Sequence, residues 1–424
     1  APNLGQTDLS TVPITATDQA QIQYGAAGLA AGSGALGGSI QLGNNPHFGK
    51  PTQFNLRQSA GSFGRHQSSL QAHYGKDNWR FNSQVYWQQA RNNYSYPDIT
   101  KPGKPEGRLQ NSLYDQRGAR QSIYRRFDQG GLLEAHGWFN QVQRQLPAPL
   151  TGNPNQYDSL TDKRTAVMLS YQEPTSNGQW SVHSGLVAAD NIFTNGGDSS
   201  SSSNSYWSWQ NKARLLEKWG ERWQLESTLE YRHVTAQSSS YEGNPQQSRT
   251  AARSRLKFEA SDNWEWNLLL REEHVDGTWS PLLGSLGTQI HLAPGHKVHI
   301  HGARNFRYPS LNDRFWVPGG NRNLRPEKSW SYELGYTFQW NNEETATYGT
   351  IEVDGFFNIV DNWIQWAPEN GIWSPRNLKK VHNRGLEIAH RGGRNEAVWR
   401  WNYWLQYSWI HSTAEASYSG SVPL

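Results

Sequence analysis

The sequence of 424 residues predicts an all-β fold in which long antiparallel strands form a transmembrane β-barrel. Three observations predict it: alternation of apolar and polar residues over long segments, connections that alternate between short and long, and tryptophans that collect beside the short connections. The chain contains 21 Trp, 19 Tyr and 13 Phe, although only 35% of its residues are hydrophobic. This aromatic content argues against a disordered chain, and the apolar residues are too scattered for a membrane helix.

Composition narrows the classes of function. The formal net charge of +4 is small for this length and is not gathered into basic blocks, which argues against nucleic acid as a partner. The mean hydropathy of −0.84 fits a barrel, in which only alternate residues need be apolar. The absence of cysteine removes disulfides, thiolate metal sites and cysteine nucleophiles, and it fits an oxidising compartment.

Residues 1–48 are rich in glycine and small side chains and contain no tryptophan. The chain begins at Ala1-Pro2 without a signal peptide, which predicts a processed chain or a fragment. Within this region Gly32-Ser33-Gly34-Ala35-Leu36-Gly37 has the spacing of a dinucleotide-binding turn, a motif that requires a following helix. The next residues, Ser39-Ile40-Gln41-Leu42, have the character of a strand instead. We therefore interpret the glycines as a tight turn where backbones approach closely.

Long alternating strands begin near Gln53. In the clearest of them, residues 223–232, one face is apolar with an aromatic residue at each end, and the other face is charged. The apolar, aromatic-rich faces of three such strands are Trp79, Phe81, Ser83, Val85 and Trp87; Trp223, Leu225, Ser227, Leu229 and Tyr231; and Trp399, Trp401, Tyr403, Leu405, Tyr407 and Trp409. Their length exceeds the ~5–6 residues usual in soluble sheets, which favours a membrane barrel over a β-sandwich.

The predicted connections alternate in length along the whole chain from Arg65, as in outer-membrane barrels with short periplasmic turns and long outer loops. The short connections are predicted near residues 76–78, 129–130, 175–178, 220–221, 261–263, 294–296, 341–344 and 392–396. The long connections are predicted near residues 93–118, 146–161, 194–205, 236–247, 277–283, 307–326 and 365–377. A soluble meander with accidental loop lengths is the alternative.

Tryptophans mark the short-turn end of the predicted barrel. They are Trp79, Trp180, Trp219, Trp223, Trp264, Trp266, Trp340 and Trp399. Indole prefers an interface that is half apolar and half wet, so this clustering predicts an aromatic girdle. Counting the alternating segments gives about seventeen strands, with the chain stopping at Pro423-Leu424 in an outer loop. Because bacterial single-chain barrels have even strand numbers, we expect this chain to be an internal portion of a longer protein.

Candidate metal and catalytic residues give no strong motif. His291, His296, His299 and His301 gather around one predicted hairpin near the periplasmic end, where polar lining of the barrel is preferred over a zinc or copper site. Glu272 and Glu273 point to opposite faces, so they form no acid and base pair, and the run Ser199 to Ser203 is interpreted as a loop tip. We therefore expect no catalytic residues and no cofactor. Calcium in the outer loops is kept as an alternative on the residues Asp98, Asp190 and Asp198.

The long loops are the predicted ligand-binding surface. They offer aromatic residues and arginines, which suit a large planar or anionic ligand such as a corrinoid or a ferric chelate. The candidates are Tyr94, Tyr96, Trp279, Arg307, Tyr308, Trp316, Arg322, Trp366 and Trp373. Packing of the loops themselves is the competing explanation for each of these side chains.

One stretch, residues 305–336, carries a longer pattern: NFRYPSLNDRFWVPGGNRNLRPEKSWSYELGY. It resembles the signature of TonB-dependent outer-membrane transporters, most closely that of cobalamin-type receptors, with ferric-siderophore receptors as near relatives. The matching residues are Phe306, Arg307, Pro309, Ser310, Leu311, Asn312, Asp313, Gly319, Gly320, Asn321, Leu324, Pro326 and Glu327. Haem receptors of this kind carry a histidine between the two boxes, and none occurs here between Phe306 and Glu327.

The resemblance implies the domain organisation. Tyr24-Gly25 followed by residues 32–40 looks like the end of the family's plug, so residues 1–48 are expected to be a plug remnant and residues 49–424 a barrel incomplete at its C-terminus. The family's barrel has about 22 strands.

The resemblance also implies active import of a scarce ligand, of cobalamin or ferric-siderophore type, across the bacterial outer membrane. The implied partners are the TonB energy-coupling complex, reached through an N-terminal segment outside this sequence, membrane lipid, the small-molecule ligand and a surface lipoprotein. A soluble or surface β-rich carbohydrate- or ligand-binding protein is the alternative function.

Overall fold

The structure is a computed structural model. It describes residues 8, 11, 19–24, 29, 32–34, 38–43, 46, 48–153, 156–197, 200–369, 371–378, 380–396 and 398–415. Several residues named in the sequence-based predictions lie outside these described residues: Ala1-Pro2, Gly25, residues 35–37, Asp198, Ser199 and residues 423–424. None of the helices in the described part is long and apolar enough to span a membrane.

Almost all regular structure is antiparallel β-strand. The large sheet contains β3 (Gln53–Gly61), β4 (Arg65–Lys76), β5 (Trp79–Ala90), β8 (Tyr114–Arg126), β9 (Leu132–Leu146), β10 (Asp158–Thr175), β11 (Gly178–Thr194), β12 (Ser201–Trp219), β13 (Trp223–Ser238), β14 (Gln246–Ser261), β15 (Trp264–Val275), β16 (Thr278–Trp279), β17 (Leu283–Ala293), β18 (His296–Arg307), β19 (Glu327–Asn342), β20 (Thr347–Asp361), β23 (Lys380–Asn395) and β24 (Arg400–Glu415).

Three small hairpins, one short helix and one 3-10 turn complete the described elements. The hairpins are β1 (Gln19–Tyr24) with β2 (Gly38–Gly43), β6 (Ser95–Pro97) with β7 (Glu106–Arg108), and β21 (Ile364–Glu369) with β22 (Ile372–Asn377). The helix is α1 (Leu311–Phe315). A 3-10 turn, Ser62–Gly64, joins β3 to β4.

The large strands follow one another around a barrel wall. Without the two-residue β16, the described part of the wall has seventeen strands, which confirms the expected strand number and the membrane β-barrel fold class. A hydrogen-bonded register joins each neighbouring pair from β3 through to β24. Among the described residues, no register joins β24 back to β3, and the wall is open at this seam.

The two faces of the wall differ as the alternation predicts. On β5, Val85 is 52% exposed on the outer face, whereas Arg80 and Asn82 on the inner face are 3% exposed. On β13, Leu229 faces outward while Glu226 binds Arg253 across the inner face. Apolar side chains therefore cover the lipid side, and hydrogen-bonded polar side chains fill the lumen side. The tryptophans of the girdle lie beside the short turns, as predicted.

Several strand ends were placed wrongly from the sequence. Three residues of the serine run are not in a loop tip, because Ser201, Ser202 and Ser203 begin β12 and pair with Thr194, Phe193 and Ile192. Ser199 lies outside the described residues. The last short turn does not begin at residue 392 as predicted, since β23 continues to Asn395 and β24 begins at Arg400. In both places the strand is polar on both faces, so alternation gives no signal although the backbone ladder continues.

A few described residues of the N-terminal region, among them Leu29, Ser33 and Gly34, contact residues of the barrel wall. β1 pairs with β2 as a separate hairpin, and β2 occupies the place where a dinucleotide motif would need a helix. Gly32 and Gly34 have φ values of +136° and +84°, which supports the tight-turn interpretation. We call Leu29 and Gly32–Gly34 the lumenal segment. Its assignment to a plug domain stays a prediction.

Candidate functional site: an outer loop and the segment beneath it

The outer loop of residues 308–326 is a folded unit whose first turn is capped. The Asp313 amide donates to Ser310 Oγ at 3.1 Å, and the Ser310 amide donates to Asp313 Oδ2 at 2.9 Å. This reciprocal capping box fixes the start of α1. The sequence pattern S-L-N-D is therefore explained by local backbone chemistry.

Asp313 also joins this loop to the neighbouring hairpin. Trp366 of β21 donates its indole N–H to Asp313 Oδ1 at 3.0 Å, and the Asn321 amide donates to the Asp313 carbonyl at 2.8 Å. Asp313 is 7% exposed. The Asp313 carboxylate thus joins the start of α1 to β21, and the Asp313 backbone carbonyl holds Asn321.

Replacing Asp313 by alanine is expected to loosen the loop by about 1–2 kcal/mol, because both the cap and the indole contact are lost. Amide hydrogen exchange of residues 310–316 is the measurement, and exchange should rise in D313A. The matched control is Asp262→Ala at the opposite end of the barrel, which should leave these amides unchanged. Equal protection in D313A and the wild-type protein would contradict the role of the cap.

An ion pair closes the base of the loop. Arg307 donates from Nε and Nη2 to the two oxygens of Glu327, at 2.6 and 2.5 Å. The Ile364 amide donates to Glu327 Oε1 at 2.7 Å. Glu327 is 1% exposed, so these donors take the place of the water that would otherwise solvate its carboxylate. The pair ties the end of β18, the start of β19 and the start of β21 to one point.

A second contact lies on the other side of α1. Tyr241, from the loop between β13 and β14, packs with Leu311, and its hydroxyl donates to Asn312 Oδ1 at 3.3 Å. Burial, with a smaller contribution from the negative charge of Asp313, raises the pKa of Tyr241 to about 12. The phenol therefore stays neutral and keeps its hydrogen bond at physiological pH.

The lumenal segment contacts the base of this loop from below. The Gly34 amide donates to the Phe306 carbonyl at 2.9 Å. Leu29 lies in an apolar cluster with Leu269, Leu283 and Phe306, and Tyr308 packs on that cluster. The segment therefore lies next to the same residues, Phe306 and Arg307, that begin the outer loop.

A buried charge network holds the segment to the wall. Ser33 Oγ donates to Glu273 Oε2 at 2.6 Å and accepts from Arg249 at 2.8 Å. Glu273, which is fully buried, also binds Arg271 at 2.5 Å, and Arg271 reaches Glu230 at 2.8 Å. Sequence reasoning missed this network. The only signal was that these side chains occupy inward positions of neighbouring strands β13, β14 and β15.

The structure divides the predicted ligand residues into two groups. Arg307, Tyr308, Trp316 and Trp366 are held in contacts of the loop, and Tyr96 lies over Gly107 in the β6–β7 hairpin. The exposed residues are Tyr94, Trp279, Arg322 and Trp373. Their role toward a ligand stays a prediction.

The motif residues lie mostly inside the loop. Phe306, Pro309, Leu324 and Glu327 are buried. The Gly320 amide donates to the Trp316 carbonyl, Asn321 donates to the Pro375 carbonyl at 3.4 Å, and the Pro326 carbonyl accepts from Asn362 at 3.5 Å. The motif thus specifies the shape of the loop.

The calcium alternative stays a prediction, and its described residues have other contacts. Asp98 accepts the Thr100 hydroxyl at 2.5 Å and binds Lys101 at 3.0 Å. The Thr100 hydroxyl and then Lys101 hold the pKa of Asp98 below its ordinary value. Asp190 lies within β11, paired with Lys163 and Ser205.

A wide antiparallel barrel with an apolar outer face, a charged inner face and folded loops over one end defines the class of outer-membrane β-barrel proteins. The family model described as "TonB dependent receptor-like, beta-barrel" matches residues 5–423. The chain therefore belongs to the TonB-dependent receptor family, whose members lie in the outer membrane of Gram-negative bacteria.

Known proteins agree with this assignment. The chain is 24% identical over 190 residues to the vitamin B12 transporter BtuB of Photobacterium profundum, covering 42% of this chain and 30% of that protein. It is 30% identical over 115 residues to BtuB of Vibrio vulnificus strain YJ016, covering 26% and 17%. The solved structure of the copper transporter OprC superposes with a TM-score of 0.77 at 16% identity, covering 97% of this chain and 69% of that one. The chain thus spans less than a third of the matched vitamin B12 transporters.

Proposed function

We propose that the protein imports a large scarce ligand across the outer membrane with energy from the TonB complex. The observation that carries the proposal is the shared contact at Phe306 and Arg307, where the outer loop and the lumenal segment meet. A ligand that moves the loop would thereby shift the groups that hold Gly34. Membrane lipid surrounds the barrel in this proposal, and a surface lipoprotein is an additional partner. The family match favours transport over a soluble carbohydrate-binding protein.

The first ligand class is cobalamin-type. It is supported by the sequence of the two boxes and by the vitamin B12 transporters among the relatives. Ferric siderophores are the second class, supported by the exposed Tyr94, Trp279, Trp373 and Arg322, which would suit an anionic aromatic chelate.

Growth and binding together test the proposal. A strain that lacks the gene should fail to grow on limiting cobalamin and should recover with the wild-type gene. In the purified full-length protein, Trp279→Ala with Trp373→Ala should weaken cobalamin binding about 10-fold or more. Trp219→Ala, at the short-turn rim, is the matched control and should bind normally. Normal growth of the deletion strain on cobalamin, with failure on one ferric chelate, would select the second class.

A further inference from the structure

Three side chains from three adjacent strands meet on the inner wall, below the outer loop and close to the short turn that begins β18. His299 Nε2 lies 3.2 Å from Glu333 Oε1 and 3.3 Å from Asp354 Oδ1. All three donor atoms lie within 4.8 Å of one another, and this is the one such group of three among the described residues. The donors are one imidazole nitrogen and two carboxylate oxygens.

The strand register explains why they meet. His299 pairs with Gly335, and Gly335 pairs with Asp354, so the three residues form one line across β18, β19 and β20. Glu333 lies two positions earlier on β19, on the same face as Gly335. A Cβ added at Gly335 would lie 2.0 Å from His299 Cε1 and 2.1 Å from Asp354 Oδ1. The missing side chain at position 335 is what lets the imidazole and the carboxylate lean together.

The group faces the lumen. Ile300 is next to His299 and is 51% exposed on the lipid face, and Leu334 is next to Glu333 and is 59% exposed there. Because side chains alternate along a strand, His299 and Glu333 point inward. The side chains of His299, Glu333 and Asp354 keep 29%, 20% and 31% exposure. Water and small ions in the lumen can therefore reach all three donors.

We propose that His299, Glu333 and Asp354 bind a divalent transition cation of the zinc class. Donors about 2.1 Å from such an ion are about 3.0–3.4 Å apart, which matches the two measured separations. Two carboxylates balance the charge of the ion, and three protein ligands leave positions for water, as in open zinc sites. The imidazole selects against calcium and magnesium, which take oxygen ligands.

The competing arrangement is a protonated imidazole held between the two carboxylates. It uses the same atoms, and the proton and the metal ion exclude each other at Nε2. The two arrangements differ in their response to added Zn²⁺. A metal site binds the ion and releases the proton from His299, whereas a purely ion-paired imidazole keeps its proton and binds no Zn²⁺. This inference goes beyond the proposed import function and does not depend on which ligand is carried.

The test is calorimetric titration of Zn²⁺ into the purified, tag-free full-length protein in detergent, together with Co²⁺ titration followed by visible absorption. The wild-type protein should bind one ion through this group. His299→Ala and Asp354→Asn should each weaken binding about 10-fold or more and remove the Co²⁺ absorption band. Gly335→Ala should do the same, because its methyl group occupies the meeting point.

The matched control is His296→Ala. His296 is on the same strand but faces the other side of the wall. There its Nδ1 is hydrogen-bonded to the Tyr336 hydroxyl at 2.7 Å. It should bind Zn²⁺ as the wild-type protein does, and an unshifted unboiled band on a gel shows that each variant is folded. Absence of Zn²⁺ binding in the wild-type protein, or binding unchanged in both H299A and D354N, would overturn the proposal.

Discussion

Replacing Glu273 by alanine should lower the free energy of unfolding by about 3 kcal/mol, the largest loss we expect from a single substitution in the described barrel wall. Glu273 has no solvent exposure, and its carboxylate binds Arg271, Ser33 and, at 3.6 Å, Arg249. Without it Arg249 and Arg271 lose the buried acidic partner that they share. Arg271 keeps its ion pair with Glu230, so we expect a loss at the lower end of the ~3–5 kcal/mol that is typical of breaking a buried ion pair.

Urea unfolding of the purified protein in detergent measures this loss. The matched control is Glu272→Ala, the adjacent residue on the exposed outer face, which should change the midpoint little. Similar midpoints for E273A and E272A would refute the network's contribution to stability. The variant E273A should also increase hydrogen exchange of the Gly34 amide, because Ser33 loses its acceptor.

Replacing Glu327 by alanine is expected to open the base of the outer loop, at a cost of about 2 kcal/mol. The value is below that for a fully buried pair because the Arg307 side chain is 27% exposed and can be hydrated. Hydrogen exchange at the Ile364 amide is the direct measurement, since that amide donates to Glu327. The affinity for the ligand should also fall in E327A, because the open loop no longer holds its binding residues in place.

Glu344→Ala, in the exposed short turn between β19 and β20, is the control for this second substitution. It changes the same residue type at the other end of the same strand and should leave the Ile364 amide protected. An Ile364 amide that exchanges at the wild-type rate in E327A would mean that the loop is held by its other contacts alone.

The fold could be predicted from the sequence because a barrel wall repeats one rule along every strand. Alternation, as from Trp223 to Tyr231, shows directly which face of a strand meets lipid. The short turns separate one strand from the next, so they give the number and the direction of the strands. The rule failed where both faces are polar, as at Ser201 to Ser203 and at the end of β23. There the backbone ladder continues without a hydrophobic signal.

The site was less predictable because its contacts join distant parts of the chain. Ser33 and Glu273 are 240 residues apart, and neither spacing nor composition indicates that they touch. The sequence places His299 in a cluster of histidines, but nothing in it connects Glu333 or Asp354 to that cluster. Only the register that aligns His299, Gly335 and Asp354 shows that the three belong together.

The lumenal segment is attached to the wall by polar contacts and by apolar contacts. Because these respond differently to temperature, the free energy of detaching the segment depends on temperature. Contacts at Ser33 are polar, so water can replace them on release, and exposing polar surface lowers the heat capacity. Leu29 is 1% exposed among apolar side chains, and freeing it exposes hydrocarbon at about 25 cal/mol per Å². The work of detachment should therefore rise with temperature near 25 °C, because the apolar term strengthens on warming. Leu29, rather than the charged network beside it, would then set how the attachment of the segment changes with temperature.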